Sequence, residues 1–176
     1  MQIIRGLPGA GKTTLALKEY PDIFRIEADM FFTRGGKYYF MTELVGESTK
    51  WFYDTIRLAV SSGVDIVLTG VFPGHSTSRL PNVIAMALEN DYEVYIKTLL
   101  TDYGNTHGVP EKQLGMMKKA FVPEEVLSSI YAEHRQVHFG LMPRTEPIPK
   151  SNNRRGSHGR DKIQSQLPKV TRSDIS

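Results

Sequence analysis

The stretch GLPGAGKT, residues 6–13, constrains this chain more than any other part of its sequence. It fits the pattern G-x-x-x-x-G-K-S/T, in which glycines let backbone N–H groups converge on phosphate oxygens without hindrance from a Cβ atom. A short apolar segment, residues 1–5, precedes it, and a helical pattern, residues 12–20, follows it. The positive end of such a helix faces the same phosphates. The sequence therefore predicts a phosphate-binding loop between a strand and a helix, with a tight turn that binds no ligand as the alternative.

The residues of this loop have distinct expected roles. Lys12 is expected to reach the β- and γ-phosphates of ATP and to act as a catalytic residue there, and the Thr13 hydroxyl is the expected protein ligand of Mg²⁺. The predicted ATP-binding residues are the loop and the threonine after it: Gly6, Leu7, Pro8, Gly9, Ala10, Gly11, Lys12, Thr13 and Thr14. ATP and Mg²⁺ are the predicted cofactors.

Segments with strand character alternate with helical patterns along most of the chain. Strands are predicted at residues 1–5, 22–28, 64–72 and 93–100, and helices at residues 12–20, 43–62, 78–90, 110–121 and 123–139. The run VDIVLTGVF, residues 64–72, is typical of a central parallel strand. This order predicts an α/β fold of the P-loop NTPase type, with a parallel sheet between two layers of helices. Four residues are expected to gather beyond the carboxyl ends of the strands, where ligands bind in such sheets: Gly6, Asp29, Phe72 and Thr101.

The charged residues are unevenly divided between residues 1–143 and residues 144–176. The first range holds 14 of the 22 Lys and Arg and 16 of the 19 Asp and Glu, and the second holds 8 and 3. Residues 144–176 are also rich in Pro, Ser, Asn and Gly, so they cannot bury enough apolar surface to fold alone. We therefore predict one folded domain, residues 1–143, and a basic disordered tail, residues 144–176. The tail is either simply solvated or an electrostatic tether to a polyanion such as DNA.

Several classes of protein are excluded by what the sequence lacks. The 176 residues include no cysteine, which removes disulfides, thiolate zinc sites and thiol nucleophiles. No apolar run approaches the ~18 residues that span a bilayer, and no secretion signal is present, so a cytoplasmic protein without membrane contact is expected. No Asn-Lys-x-Asp segment for guanine recognition occurs, and the strand at residues 64–72 ends without the carboxylate of an ATPase motor.

A carboxylate follows the second predicted strand, at Asp29 in the segment RIEADMFF. Kinases of small molecules and nucleic acids need a carboxylate at this place, because it accepts the proton of the alcohol that receives the phosphate. Asp29 is therefore the predicted general base. A helix N-cap or turn residue is the alternative, since aspartate commonly begins helices.

Four segments together resemble the P-loop kinases related to phage polynucleotide kinase. They are GLPGAGKTT (residues 6–14), EADMFF (27–32), GNTHGVP (104–110) and QLGMMKKAF (113–121). The likeness covers about residues 1–125 and implies a kinase domain within residues 1–143. It also implies that Lys12 and Thr13 bind ATP and Mg²⁺ and that Asp29 is the general base.

The chain departs from this family at three places. Phe32 stands where polynucleotide kinase has an arginine that holds the acceptor's phosphate. Thr69-Gly70-Val71 stands where the family often ends its central strand in a more polar, aspartate-containing segment. Gly104 stands where the family usually has an arginine, on the lid that covers ATP. Another cation must then stabilise the transferred phosphate. The candidates are Arg34, Lys112, Lys118, Lys119 and Arg135.

Aromatic residues crowd the segment after Asp29, at Phe31, Phe32, Tyr38, Tyr39 and Phe40. Such a cluster indicates either ordinary packing or a surface on which a base stacks. The candidate substrate-binding residues are Phe32, Arg34 and His107. Related phage kinases phosphorylate 5-hydroxymethyluracil in DNA, so the resemblance implies a nucleic-acid acceptor, with that hydroxymethyl group ahead of a polynucleotide 5′-hydroxyl. A nucleoside or sugar kinase and a nucleotide-binding regulator without transfer are the alternatives.

Overall fold

The structure is a computed structural model that describes residues 1–104 and 108–143. Its elements are, in chain order, β1 (Gln2–Gly6), α1 (Lys12–Glu19), β2 (Phe24–Ile26), a 3₁₀ helix (Ala28–Phe32), β3 (Thr33–Arg34), β4 (Lys37–Tyr38), a second 3₁₀ helix (Thr42–Leu44), α2 (Val45–Ser61), β5 (Ile66–Gly70), α3 (Arg79–Leu88), β6 (Val94–Leu99), α4 (Glu111–Ala120), α5 (Glu124–Ile130) and β7 (Val137–Phe139). His107 and the predicted tail lie outside the described residues. Within the described ranges, no helix has both the length and the apolar character needed to span a membrane.

Five strands form one parallel sheet in the order β2-β5-β1-β6-β7. β1 lies in the middle, and all five of its residues are buried. The strand predicted as central, β5, lies beside it, between β1 and the edge strand β2. Because all five strands are parallel, their carboxyl ends meet at one edge, where the loop after β1 lies.

Helices cover both faces of this sheet, as the alternation of side chains along β1 and β5 requires. Ile3 and Leu68 point to one face, where they pack with α2, α3 and Leu127 of α5. Ile4 and Val67 point to the other face, where they pack with α1. The predicted three-layer α/β fold is confirmed.

The prediction of a single helix over residues 123–139 is wrong. α5 ends at Ile130, and β7 then extends the sheet beside β6. The N–H of Val94 donates to the carbonyl of Gln136 at 2.8 Å, next to the paired residues. The open edge of β6 offers backbone groups that need partners, and pairing with them outweighs continuation of the helix.

A buried arginine joins two loops at the carboxyl edge of the sheet. Arg5, which precedes the last residue of β1, is 0% exposed. Its Nη2 donates to the carbonyls of Val122 at 2.6 Å and Pro73 at 3.3 Å, and its guanidinium lies 4.0 Å from the centroid of the Phe121 ring. Burial lowers the pKa of Arg5 to about 10, against the opposing effect of the Glu124 charge. Arg5 therefore anchors the loop after β5 to the loop after α4.

Candidate active site

The loop between β1 and α1 has a backbone conformation suited to binding phosphate. Gly9 and Gly11 have φ angles of 80° and 81°, in the left-handed region that residues with a Cβ atom rarely adopt. The N–H of Ala10 donates to the carbonyl of Leu7 at 3.1 Å, and Gly11 is the N-cap of α1. The first N–H groups of α1 have no partner within the helix, so they are available to an anion at the loop.

The segment that follows β6 lies directly on this loop. The Thr101 hydroxyl donates to the carbonyl of Ala10 at 2.8 Å, and the N–H of Tyr103 donates to the carbonyl of Gly9 at 3.1 Å. The Tyr103 ring lies beside Gly11 and is mostly exposed. The strand pattern predicted that Thr101 lies at this edge, but no motif distinguished Tyr103.

Gly9→Ala is expected to lower both the thermal stability and the nucleotide affinity of the protein. An added Cβ would lie 2.1 Å from the carbonyl oxygen of Gly104, a backbone atom that must move. The left-handed conformation alone costs about 1–2 kcal/mol for a residue with a side chain. Thermal unfolding and binding of a fluorescent ATP analogue measure the two effects.

Gly46→Ala is the matched control for this substitution. Gly46 lies in α2, and nothing lies within 4 Å of the added Cβ. Alanine in a helix is expected to raise the free energy of unfolding by roughly 0.5–1 kcal/mol and to leave nucleotide binding unchanged. Wild-type stability and affinity in Gly9→Ala would contradict the close packing of the loop against residues 101–104.

Lys12 and Thr13 begin α1, where both face carboxylates from the end of β2. The Lys12 Nζ donates to the carbonyl of Leu7 at 2.8 Å. Burial lowers the pKa of Lys12, and the charges of Glu27 and Asp29 oppose that effect. The Thr13 Oγ1 donates to the Glu27 Oε1 at 3.2 Å. Thr14, the last predicted ATP-binding residue, is exposed in the same turn.

Asp29 lies in the 3₁₀ helix after β2 and is exposed to solvent. Its backbone is held from both sides: the Ser48 hydroxyl of α2 donates to the Ala28 carbonyl at 3.1 Å, and the Thr33 hydroxyl donates to the Asp29 carbonyl at 3.3 Å. Asp29 follows β2 at the edge of the sheet where the loop after β1 lies, and its charge opposes the lowering of the Lys12 pKa by burial. The side chain is therefore neither buried nor remote from the predicted phosphate site.

Exposed aromatic rings lie at the end of the β3–β4 hairpin, which follows Asp29 in the chain. Tyr38, Tyr39 and Phe40 are 52%, 55% and 55% exposed. The rings of Tyr38 and Phe40 are nearly parallel, with centroids 6.4 Å apart. Partial burial raises the pKa of Tyr38, and the charge of Asp29 raises it further. We define Tyr38, Tyr39 and Phe40 as the aromatic surface.

The structure gives the remaining predicted site residues different surroundings. Phe32 is only 5% exposed, and the centroid of its ring lies 5.1 Å from that of the Phe40 ring. Phe32 therefore packs against the aromatic surface and is too buried for a base to stack on it. Phe72 is also in the core, where the centroid of its ring lies 6.1 Å from that of the Phe52 ring. It does not lie exposed at the carboxyl edge of the sheet. Arg34 lies in β3, opposite Lys37 of β4 in the antiparallel pairing of the hairpin strands. His107 is outside the described residues.

The side chains near the loop fit a magnesium ion bound together with nucleotide phosphates. Mg²⁺ prefers oxygen ligands and is commonly held by one or two protein groups plus phosphates. The Thr13 hydroxyl and the Glu27 carboxylate are oxygen donors of this kind. Among the described residues, no group of three or more His, Cys, Asp or Glu side chains forms a metal site.

Comparisons with known proteins do not assign the chain to a family. No protein-family profile matches it. It is 24% identical over 165 residues to an uncharacterized protein of Pasteurella multocida, covering 85% of this chain and 86% of that protein. A sugar kinase from a Janibacter species, solved without ligand, aligns with 94% of this chain and 91% of its own, at 15% identity and a TM-score of 0.39. A TM-score of this size carries no argument about fold or function.

Proposed function

We propose that this chain is an ATP- and Mg²⁺-dependent kinase that transfers the γ-phosphate to an alcohol on DNA, with the 5-hydroxymethyl group of 5-hydroxymethyluracil as the preferred acceptor. The observation that carries the proposal is the place of Asp29 directly after β2, at the edge of the sheet where the loop after β1 lies. Its charge acts on Lys12 in the phosphate loop and on Tyr38 in the aromatic surface. A general base needs this kind of position, within reach of both the donor and the acceptor.

The reaction follows from the roles of three residues. The Asp29 carboxylate accepts the proton of the acceptor alcohol while that oxygen bonds to the γ-phosphorus. The bond between the γ-phosphorus and the β-phosphate oxygen breaks, and ADP leaves. Lys12 stabilises the negative charge on the β- and γ-phosphates, and Thr13 helps to hold the metal. Mg²⁺ bound with ATP would be held with the help of Thr13, and it would neutralise the negative charge that develops during transfer.

The aromatic surface favours an acceptor that carries a base. A stacked base contributes about 1–3 kcal/mol to binding, and an aromatic pocket suits a base that has left the duplex. The excess of basic residues in residues 144–176, 8 against 3 acidic, would attract the phosphates of DNA. An alcohol on the base itself also requires no arginine to hold a terminal phosphate, which agrees with Phe32 at that position.

A small alcohol, such as a nucleoside or a sugar, is the second candidate acceptor. Residues 1–143 hold 14 Lys and Arg against 16 Asp and Glu, so this part of the chain has no net positive charge to attract a polyanion. A free nucleoside would use the same aromatic surface and the same base. The two candidates therefore differ in acceptor size and not in chemistry.

Transfer of radiolabel from γ-labelled ATP distinguishes these acceptors. The full chain is incubated with Mg²⁺ and DNA containing 5-hydroxymethyluracil, with thymine DNA that has free 5′-hydroxyls, and with a panel of nucleosides and sugars. We expect label in the 5-hydroxymethyluracil DNA, including DNA whose 5′-ends are blocked. Label on a small alcohol alone would favour the second candidate. Absence of label on every acceptor, while ATP still binds, would reject phosphoryl transfer.

A further inference from the structure

The strand next to the phosphate loop lacks the residue that usually organises the metal in such proteins. P-loop proteins commonly place an aspartate at the end of a neighbouring strand, where it helps to hold Mg²⁺ together with the loop Ser or Thr. Here the neighbouring strand, β5, ends in Thr69 and Gly70, and Gly70 pairs with Arg5 of β1. A carboxylate that helps to hold Mg²⁺ must therefore come from elsewhere in the fold.

The structure supplies such a carboxylate at Glu27, directly after β2, which lies two strands from β1 in the sheet. The Glu27 Oε1 and Oε2 lie 3.2 Å and 3.5 Å from the Thr13 Oγ1. The Glu27 side chain is only 18% exposed and forms an ion pair with Arg25, which restricts its orientation. A hydroxyl that donates its proton to a carboxylate keeps its lone pairs directed away from it, available to a cation.

A second observation concerns a buried hydroxyl on the face of the sheet that α1 covers. Thr69 is 3% exposed, and its Oγ1 has no hydrogen-bond partner among the described residues. By alternation along β5, Thr69 faces the same side of the sheet as Val67, the side covered by α1. An unpartnered buried hydroxyl costs about 1–3 kcal/mol, a cost that a water or another polar group reaching Thr69 would remove.

We propose that Glu27 is the positioning residue for Mg²⁺ bound with ATP, in the role that a carboxylate at the end of β5 would otherwise have. It acts through the Thr13 hydroxyl, whose lone pairs it directs to the metal. The inference rests on the proposed function, because the metal enters with the nucleotide. Asp29 keeps a separate role as the base toward the acceptor, so the two carboxylates differ in what they control.

Glu27→Gln in the full chain tests this role by a binding measurement that needs no acceptor. The affinity for a fluorescent ATP analogue is measured across a series of Mg²⁺ concentrations and in excess chelator. We expect the Mg²⁺ concentration for half-maximal enhancement of binding to rise about 10–100-fold, the usual effect of removing a partner of a metal ligand. Affinity in chelator should remain at or above that of wild type, because only a negative charge near the phosphates is lost.

Glu89→Gln is the matched control, since Glu89 is an exposed carboxylate at the end of α3, by the opposite edge of the sheet. It should behave as wild type at every Mg²⁺ concentration. If Glu27→Gln unfolds below the assay temperature, Glu27→Asp, which shortens the side chain by one methylene, is measured in its place and should shift in the same direction.

The possible outcomes separate this inference from the proposed function. Wild-type Mg²⁺ dependence in the folded Glu27 variant overturns the role of Glu27 and leaves the kinase proposal standing. Failure of the wild-type chain to bind the ATP analogue at all, with or without Mg²⁺, overturns both. A shift in Mg²⁺ dependence confined to the Glu27 variant supports the positioning role.

Discussion

Asp29→Asn is expected to lower kcat for phosphoryl transfer by about 10²–10⁴-fold, the usual contribution of an aligned general base. The amide keeps the shape of the side chain but cannot accept the alcohol proton. In the proposed mechanism the loop and Lys12 bind ATP, so the affinity for the fluorescent analogue should change little. Initial rates with radiolabelled ATP and saturating acceptor measure kcat, and equilibrium titration measures nucleotide binding.

Asp22→Asn is the matched control for this substitution. Asp22 is exposed and precedes β2, whereas Asp29 follows that strand, so the two residues lie toward opposite edges of the sheet. The control should retain wild-type kcat. Full activity in Asp29→Asn would remove Asp29 from the mechanism and would favour the alternative of a nucleotide-binding regulator or of a different base.

Lys12→Met is expected to lower kcat/KM by at least ~10²–10³-fold. Losses of this size are usual when an enzyme loses one group that stabilises the charge of the transition state. Methionine fills much of the space of the lysine stem but cannot pair with phosphate oxygens. Nucleotide affinity should fall as well, because the ammonium contacts the same phosphates in the bound state. The free variant should stay folded, since burial disfavours the charged ammonium and lowers the pKa of Lys12.

Lys18→Met provides the comparison within the same helix. Lys18 lies in the last turn of α1, and its side chain is 77% exposed. The substitution removes one positive charge without altering the loop, so kcat/KM and affinity should stay at wild-type values. Equal losses in the two variants would indicate a general effect of charge and not a specific contact of Lys12 with phosphate.

The conformation of the loop between β1 and α1 could be predicted from the sequence because it is decided locally. Gly9 and Gly11 permit the left-handed φ angles, and the helix that begins at Lys12 follows directly. The position of Asp29 after the second strand was predictable for a related reason, since parallel strands bring their carboxyl ends to one edge. These features need only the order of elements along the chain.

The contact between Thr13 and Glu27 could not be predicted in the same way. It depends on β2 lying outside β5 in the sheet and on α1 beginning near the end of β2. Neither hydrophobic periodicity nor a motif specifies the order of strands. The sequence did show two carboxylates, Glu27 and Asp29, two residues apart at a strand end, which is the signal that could have drawn attention to both.

The aromatic segment and β7 illustrate two other limits of sequence analysis. The cluster from Phe31 to Phe40 was recognisable, but only the hairpin geometry shows that Phe32 is buried while Tyr38 is exposed. β7 has three residues, and its stability comes from pairing with β6, which is distant in the chain. Short segments of this kind are determined by non-local contacts.

In the proposed mechanism the Asp29 carboxylate lies where it can activate an alcohol facing the γ-phosphorus of ATP bound in the loop. A crystal structure with Mg²⁺ and a non-hydrolysable ATP analogue measures this directly. The reacting alcohol oxygen must lie about 3–3.5 Å from the γ-phosphorus and must be hydrogen-bonded to the base. An Asp29 oxygen is therefore expected within about 6 Å of the γ-phosphorus, on the side opposite the leaving oxygen. That geometry is the predicted result. An Asp29 side chain turned away from the γ-phosphate, with another group in its place, would contradict the account.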